Sequence, residues 1–421
     1  MGIPKGANFR LEEVPSGIDV EPLDIVTEDG ATTRALLYRP AGRRPRVGVH
    51  LLHPRTDQTQ NYNIIPLVRA GYAVLGRAGR WVNNDISTIH EHLLLDVAAG
   101  VRALHDLGCD AVILLGNSGG GPLSALYQAQ ARKTPEARYK TTAAGTLFDL
   151  GRFDLPPADG MVMIGAHLGQ GYCLAKWLDP SMCDDADALS VDPELDMYNP
   201  GNGFRVPPEA SSYSADFLAR FRAAQAERGR RLDETARHRI AVRRAAIEAA
   251  ELFESRGKTE LALAQRRRAR FTNHMAVWRA SADPAWLDPT YEPDDRDICA
   301  FNNEARPDLQ NFVPFLSPFL SPDAYLSTWS GLSGRALTVD RLAEVRDPLI
   351  VVHYAGDGTT QIREARRMCD ESGAEDRSFE LIRNVDHYSF EIVGPHRRGP
   401  RSMAGTDAVV AWMESRFPLG D

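Results

Sequence analysis

A glycine-rich turn between an apolar run and a helix-forming segment constrains this chain more than any other feature. Residues 116–120 read Gly-Asn-Ser-Gly-Gly, after the apolar run 111–115 and before a segment, 121–130, that favours a helix. A strand that turns into a helix within so few residues needs small neighbours on both sides, so that the helix and the next strand can pack closely. The turn therefore presents the hydroxyl of Ser118 at the carboxyl edge of a sheet, beside the first N–H groups of the helix.

An exposed serine hydroxyl becomes a good nucleophile only when a base takes its proton and a third group orients that base. In this strand–turn–helix setting the three groups follow one another as serine, acid and histidine. The apolar run 348–354 predicts a buried parallel strand, and Asp357 comes just after it. Another strand is predicted at 379–382, shortly before His387. The sequence therefore predicts Ser118, Asp357 and His387 as a catalytic triad.

Three other residues compete for these roles. Asp347 precedes the strand at 348–354, so it belongs to the opposite edge of the sheet. Asp386 adjoins His387, and side chains of adjacent residues usually diverge. His396 lies in a turn-rich basic loop rather than directly after a strand. Asp357 and His387 are therefore preferred.

The oxyanion of an acyl-transfer reaction needs hydrogen-bond donors. One is expected from the backbone N–H of Gly119, the residue after the nucleophile. The other is expected from the loop after the predicted strand 47–52, which reads His53-Pro54-Arg55. Because proline has no N–H, Arg55 is predicted to supply the second donor.

Together these features resemble the α/β-hydrolase superfamily, in its serine-esterase and lipase-like branch. The resemblance covers roughly residues 20–170 and 345–421 and implies a mostly parallel central sheet with helices on both faces. It also implies activity without a cofactor. The loop after strand 47–52 departs from the pattern, since many esterases have His-Gly or His-Gly-Gly-Gly where this chain has His53-Pro54-Arg55.

The middle of the chain differs in composition from both ends. Residues 168–211 and 283–345 are loop-like, whereas 212–281 contain no proline and predict helices broken near Gly229 and Gly257. Two apolar stripes are predicted on these helices: Phe217, Phe221 and Ala224, then Ile240, Ile247, Ala250 and Phe253. The superfamily carries its cap domain at this point of the chain. We therefore expect a hydrolase core over 1–166 and 346–421, with an inserted helical cap over 167–345.

Several residues are candidates for the substrate pocket. His53 follows one predicted strand, and Trp81 and Asn83 follow another, at the expected catalytic edge. Trp177 and Trp329 are candidates from the cap, together with a wider aromatic set that includes Phe301, Phe312, Phe315 and Phe319.

Composition limits the partners. The chain carries 49 Lys and Arg against 57 Asp and Glu, a net charge of −8, which argues against a nucleic-acid partner. The basic run 265–270 has acidic residues nearby and suits a solvated helix face or a subunit contact, so a homodimer through the cap helices is a further candidate. No apolar stretch reaches the length of a membrane span, no metal-ligand spacing stands out, and five scattered cysteines favour reduced thiols in the cytoplasm.

These inferences converge on a serine hydrolase acting on an ester, lactone or thioester of a bulky small molecule. A C–C bond hydrolase and an acyltransferase with the same triad remain alternatives. From another class, a non-catalytic binding protein on this fold also remains. Haloalkane dehalogenases and epoxide hydrolases are disfavoured, because they resemble this fold with aspartate at the position of Ser118.

Overall fold

The fold was analysed in a computed structural model of the 421-residue chain, which describes residues 14–271, 273–299, 305–313 and 319–419. Its strands are Ile18–Val26 (β1), Thr32–Pro40 (β2), Val47–Leu51 (β3), Ala73–Arg77 (β4), Ala111–Asn117 (β5), Gly160–Ile164 (β6), Met275–Ala276 (β7), Phe319–Leu320 (β8), Leu349–Gly356 (β9), Arg377–Asp386 (β10), Phe390–Gly394 (β11) and Arg397–Arg401 (β12).

The α-helices are Ile64–Arg69 (α1), His90–Asp106 (α2), Gly120–Ala131 (α3), Gln170–Trp177 (α4), Ala215–Ser255 (α5), Thr259–Phe271 (α6), Pro307–Gln310 (α7), Pro322–Ala324 (α8), Thr338–Ala343 (α9), Ile362–Asp370 (α10) and Ala404–Arg416 (α11). A π-helical turn, Tyr325–Trp329, follows α8. Short 3-10 turns lie at Asp85–Ser87, Pro135–Ala137, Leu150–Arg152, Pro200–Asn202 and Pro284–Trp286.

Ten strands form one sheet in the order β1-β2-β4-β3-β5-β6-β9-β10-β11-β12. The six central strands, from β4 to β10, are mutually parallel, and an antiparallel pair extends the sheet at each side. The predicted fold class, a mostly parallel sheet with helices on both faces, is confirmed. The β11–β12 hairpin was not predicted, because its polar and glycine-rich sequence reads as a loop.

The central strands bury both faces, as their continuous apolar runs require. In β5, Val112 and Leu114 pack into the cluster formed with α2 and α3. Their neighbours Ile113 and Leu115 pack into the opposite cluster, formed with α1 and α11. The alternation of side chains along a strand explains this division. The sheet is thereby held rigid beneath the loops at its carboxyl edge.

The chain between β6 and β9 contains the long helix α5, whose buried face carries polar side chains among apolar ones such as Phe221 and Ile240. The buried Gln225 donates to the carbonyl oxygens of Lys176, Leu178 and Ala282. Arg228, also buried, donates to three further backbone carbonyls and pairs with Asp185. These contacts tie α5 to the loops around it. The helix just before β9, α9, packs instead with α3 and the sheet. The division of the chain at 166 and 345 stays a prediction.

Three predictions within this segment are wrong. Helix α5 runs without a break through Gly229, although the chain does leave the helix before Gly257. Residues 168–211 and 283–345 are not all loop, since α4 lies in the first range and α7, α8 and α9 lie in the second. Ile247 of the second apolar stripe is exposed, because beyond that point α5 packs mainly against α6 through alanines such as Ala250. Within the described ranges, none of the helices has the length and apolar character needed to cross a membrane.

Candidate active site

The turn between β5 and α3 holds Ser118 in a left-handed backbone conformation. Its φ is +52°, a value that non-glycine residues rarely adopt. A Cβ on Gly116 would stand 2.5 Å from the Cα of Gly121, and a Cβ on Gly120 would stand 2.6 Å from the carbonyl oxygen of Leu52. The tight strand–turn–helix predicted around Ser118 is therefore present. Strain of this kind persists where the surrounding packing enforces it, often at functional sites.

His387 lies directly after β10 and contacts both of the residues predicted as its partners. Its Nε2 is 3.0 Å from the Oγ of Ser118, and its Nδ1 is 2.7 Å from the Oδ2 of Asp357. Both distances are those of hydrogen bonds. The three residues follow β5, β9 and β10, whose parallel strands end at one edge of the sheet. The structure thus brings Ser118, His387 and Asp357 together.

The carboxylate of Asp357 is buried and fully engaged. Its Oδ1 accepts the N–H and the hydroxyl of Thr359, each at 2.6 Å, which leaves Oδ2 to face His387. Burial would raise the pKa of Asp357, but the charge and hydrogen bond of His387 and the hydrogen bond from Thr359 lower it to about 2. The group is therefore a carboxylate at neutral pH and can hold the N–H of the imidazole.

Opposing effects act on the pKa of His387. Burial of the ring lowers it, whereas the charge and hydrogen bond of Asp357 raise it more, so that the net shift is upward from 6.5. Asp357 therefore favours the imidazolium form that a base acquires during proton transfer.

The three residues that competed for the triad roles lie outside the triad. Asp347 lies before β9 and is bonded to Gln128 and Arg132, at the far edge of the sheet. Asp386 pairs with Arg398 and accepts backbone N–H groups of the turn that follows. Neither carboxylate contacts His387. His396 lies exposed in the turn between β11 and β12.

Of the two predicted oxyanion donors, one N–H is free and the other is already hydrogen-bonded. The N–H of Gly119 meets no acceptor in the described part of the chain, so it is available. The N–H of Arg55 donates to the Nδ1 of His53 at 3.0 Å, as does the N–H of Thr56 at 3.1 Å. The prediction that the Arg55 amide is the second donor is therefore corrected. Proline at 54 lets the loop fold back onto the His53 ring, which takes up both amides.

Sequence reasoning missed two polar residues at this edge. His167 follows β6, the neighbour of β5, and its Nδ1 accepts the N–H of Gly169 at 3.0 Å. Burial and the charge of His387 lower the pKa of His167 to about 3. Gln170, at the start of α4, donates to the carbonyl oxygen of Gly119 at 3.3 Å. The rule that found Asp357, a polar residue after a parallel strand, also identifies His167.

The predicted pocket residues of the loop after β4 lie away from the triad contacts. Trp81 is partly buried against the core cluster beneath α2. Asn83 is exposed, and its N–H donates to the carbonyl oxygen of Arg55. The same loop bonds to the loop after β3 through Asp85, which accepts two hydrogen bonds from the Arg55 guanidinium, both at 2.6 Å.

The aromatic candidates from the insertion divide into buried and exposed groups. Trp329 is buried, and the Arg55 guanidinium lies 5.0 Å from its ring centroid. Trp177 is buried against Trp286, with ring centroids 5.5 Å apart. Phe312 and Phe319 are about half exposed, whereas Phe301 and Phe315 lie outside the described residues.

The insertion also contacts the loop that carries Asp357. The indole N–H of Trp286 donates to the carbonyl oxygen of Gly358 at 2.7 Å. Nearby, the N–H of Asp295 donates to the carbonyl oxygen of Ala355. Its carboxylate accepts the N–H of Asn384 in β10. The segment between β6 and β9 therefore contacts the ends of the strands that carry the acid and the histidine.

The sheet order, the left-handed serine after β5 and the acid and histidine after β9 and β10 occur together in one architecture. The chain has the α/β-hydrolase fold. Among the residues that the structure describes, no group of three or more His, Cys, Asp or Glu side chains is placed to hold a metal ion.

The solved structures that match this chain share little sequence with it. Est1E from Butyrivibrio proteoclasticus matches with a TM-score of 0.45 at 11% identity, covering 94% of this chain and 98% of that one. The esterase Pf2001 from Pyrococcus furiosus matches with a TM-score of 0.42 at 10% identity, covering 94% and 93%. The α/β hydrolase GrgF from Penicillium sp. sh18 matches with a TM-score of 0.44 at 12% identity, covering 88% and 91%. No protein-family model and no curated protein matches the sequence. At these TM-scores the likeness carries no information about the reaction.

Proposed function

We propose that this protein is a serine hydrolase that cleaves a carboxylic ester, lactone or thioester through an acyl-enzyme. One observation carries the proposal: an unbroken chain of hydrogen bonds runs from the Oγ of Ser118 through His387 to Asp357. In the proposed reaction Ser118 is the nucleophile, His387 is the general base and then the general acid, and Asp357 orients the imidazole.

In the first half of the reaction, the Oγ of Ser118 attacks the carbonyl carbon while its proton passes to the Nε2 of His387. The carbonyl oxygen becomes an oxyanion beside the free N–H of Gly119. When the tetrahedral adduct collapses, the bond to the leaving oxygen or sulfur breaks, and His387 returns the proton to that atom. Ser118 is then acylated and the alcohol or thiol departs.

In the second half, a water molecule takes the place of the leaving group. His387 accepts a proton from the water as its oxygen attacks the acyl carbon. Collapse of the second adduct releases the carboxylic acid and returns the proton to the Oγ of Ser118. No oxidant, reductant or metal is required, and Asp357 stays ionised throughout.

The inserted segment supports a small-molecule substrate of some bulk. Its Trp329 packs against Arg55 of the loop after β3, and its Trp286 bonds to the loop of Asp357. These contacts join the segment to loops on two sides of the triad, which supports a substrate of small-molecule size rather than a polymer.

The experiment is a panel of p-nitrophenyl esters of increasing acyl size, with lactones, thioesters and dienones, assayed with and without an alcohol acceptor. Ser118→Ala is expected to lower kcat by a factor on the order of 10⁶. Ser124→Ala, a buried serine one turn and a half further along α3, is the matched control and is expected to keep activity. Retention of more than about a tenth of the wild-type activity by Ser118→Ala on every accepted substrate would contradict the proposal.

The same panel separates the rival reactions. Faster product release with an acceptor indicates acyl transfer, and turnover of dienones alone indicates C–C cleavage. Ligand binding without turnover of any compound would favour a non-catalytic binding protein.

A further inference from the structure

The loop after β3 leaves the oxyanion with one backbone donor instead of two. The amides of Arg55 and Thr56 both point at the Nδ1 of His53. Of the backbone groups proposed for this role, only the N–H of Gly119 is therefore free. Removing one of two such donors from a hydrolase costs about 10²–10³ in kcat, so a second donor matters.

The two amides determine which ring nitrogen of His53 carries a proton. A nitrogen that accepts N–H bonds must present its lone pair, so Nδ1 is unprotonated. In a neutral imidazole the proton then lies on Nε2, which becomes a donor. The ring is neutral because burial, followed by the charge of Arg55, lowers the pKa of His53 well below 6.5.

The Nε2 of His53 faces the backbone next to Ser118. It stands 2.8 Å from the position that a Cβ on Gly119 would occupy. No acceptor for its proton is found among the described residues. Strand β3 is the direct neighbour of β5 in the sheet, so His53 and Ser118 emerge side by side at the same edge. The free N–H of Gly119 and the free Nε2–H of His53 thus lie close together.

We propose that the Nε2–H of His53 is the second oxyanion donor, replacing the backbone amide that Arg55 does not offer. The inference rests on the proposed serine-hydrolase function. Gln170, the other side chain near Gly119, directs one of its two amide N–H groups at the Gly119 carbonyl oxygen. His167 emerges from the opposite neighbour of β5, on the other side of Ser118.

Two substitutions separate donation to the oxyanion from support of the loop. In His53→Asn, the side-chain oxygen stands near the position of Nδ1 and can accept the Arg55 and Thr56 amides, but nothing replaces Nε2–H. In His53→Gln, the longer amide returns an N–H near the position of Nε2. His50→Asn, a buried histidine of β3 away from the site, shows the general cost of losing an imidazole from this strand.

We expect His53→Asn to lower kcat by about 10²–10³ with little change in KM, and to slow fluorophosphonate labelling of Ser118 by a similar factor, because the phosphonyl oxygen occupies the same position. His53→Gln should recover most of both rates. A trifluoromethyl ketone should bind His53→Asn more weakly while the melting temperature stays near that of His50→Asn.

A kcat for His53→Asn within tenfold of wild type would overturn the inference. Equal losses of kcat in His53→Asn and His53→Gln would also overturn it. The proposed function is tested separately, by turnover and labelling of the wild type and of Ser118→Ala. If the wild type shows no turnover that depends on Ser118 and no labelling there, the enzyme assignment fails and the role of His53 fails with it.

Discussion

At the residue scale, the local surroundings of His387 decide how the site responds to pH. Asp357 outweighs the effect of burial and keeps the pKa of His387 above 6.5. A general base must be neutral to accept the proton of Ser118. The rate is therefore lost as pH falls through the raised pKa of His387.

The kcat/KM of the wild type should rise with pH along an acidic limb whose apparent pKa lies above 6.5. Asp357→Asn removes a charge that raises the pKa of His387, so the acidic limb of the kcat/KM profile should move to lower pH. The amide also favours the wrong imidazole tautomer, so kcat should fall by about 10⁴. Rate profiles of the two proteins test both effects.

Asp386→Asn is the matched control, because Asp386 adjoins His387 in sequence but pairs with Arg398. It should keep kcat within about a factor of ten, because the Asp386 carboxylate bonds to Arg398 and to the backbone of the following turn rather than to the His387 imidazole. A larger loss for Asp386→Asn than for Asp357→Asn would reverse the assignment of the acid.

The triad could be predicted from the sequence because parallel strands bring their carboxyl ends to one edge of a sheet. Asp357 and His387 were found by their place after strands and by the order serine, acid, histidine along the chain. The error at Arg55 had another origin. Whether a backbone N–H points at a substrate or at a neighbouring ring depends on the path of the loop and the rotamer of His53, and neither follows from residue spacing.

At the element scale, α5 shows why a glycine did not end a helix. Gly229 costs about 1 kcal/mol relative to alanine in a helix interior. On either side of it, Gln225, Arg228 and Leu232 are buried. The hydrogen bonds of Gln225 and Arg228 to surrounding carbonyl oxygens hold the helix in register across the glycine. Tertiary contacts of this kind cannot be read from local propensity.

Gly229→Ala should therefore raise the free energy of unfolding by about 0.5–1 kcal/mol, since a Cβ there meets nothing within 4 Å. Gly257→Ala should instead lower it by about 1–2 kcal/mol, because Gly257 has a φ of +68° that disfavours a side chain. Urea denaturation of both variants measures the difference. Shifts of the same sign in the two variants would contradict the helix boundaries described above.

At the scale of the whole molecule, buried neutral histidines link stability to pH. The pKa is lowered, in each case chiefly by burial, at six residues: His50, His53, His90, His92, His167 and His353. Unfolding returns each to about 6.5, so between pH 6.5 and about 4 the unfolded chain binds more protons than the folded one. Stability should therefore fall as pH falls through this window.

His353 offers a direct check of this linkage. It is buried in β9, neither ring nitrogen has a partner among the described residues, and its pKa is lowered to about 4. Replacing it with leucine removes one proton taken up on unfolding. The slope of unfolding free energy against pH should then decrease by up to about 1.4 kcal/mol per pH unit. An unchanged slope would show that His353 takes up no proton on unfolding in this window.

The parallel core was predictable as a whole because its strands are unbroken apolar runs at the spacing of a βαβ pattern. The packing of the inserted segment was not, because buried arginine, glutamine and aspartate side chains lie beside its apolar clusters. Such residues read as surface in a sequence. Only their partners, such as Asp179 with Arg279, make them interior.

The most direct test of the triad is the mapping of a fluorophosphonate adduct by mass spectrometry. We expect a single modified serine, Ser118, in the wild type, no labelling in Ser118→Ala, and strongly slowed labelling in His387→Gln. Modification of another serine, such as Ser124 or Ser389, with Ser118 untouched would contradict this expectation.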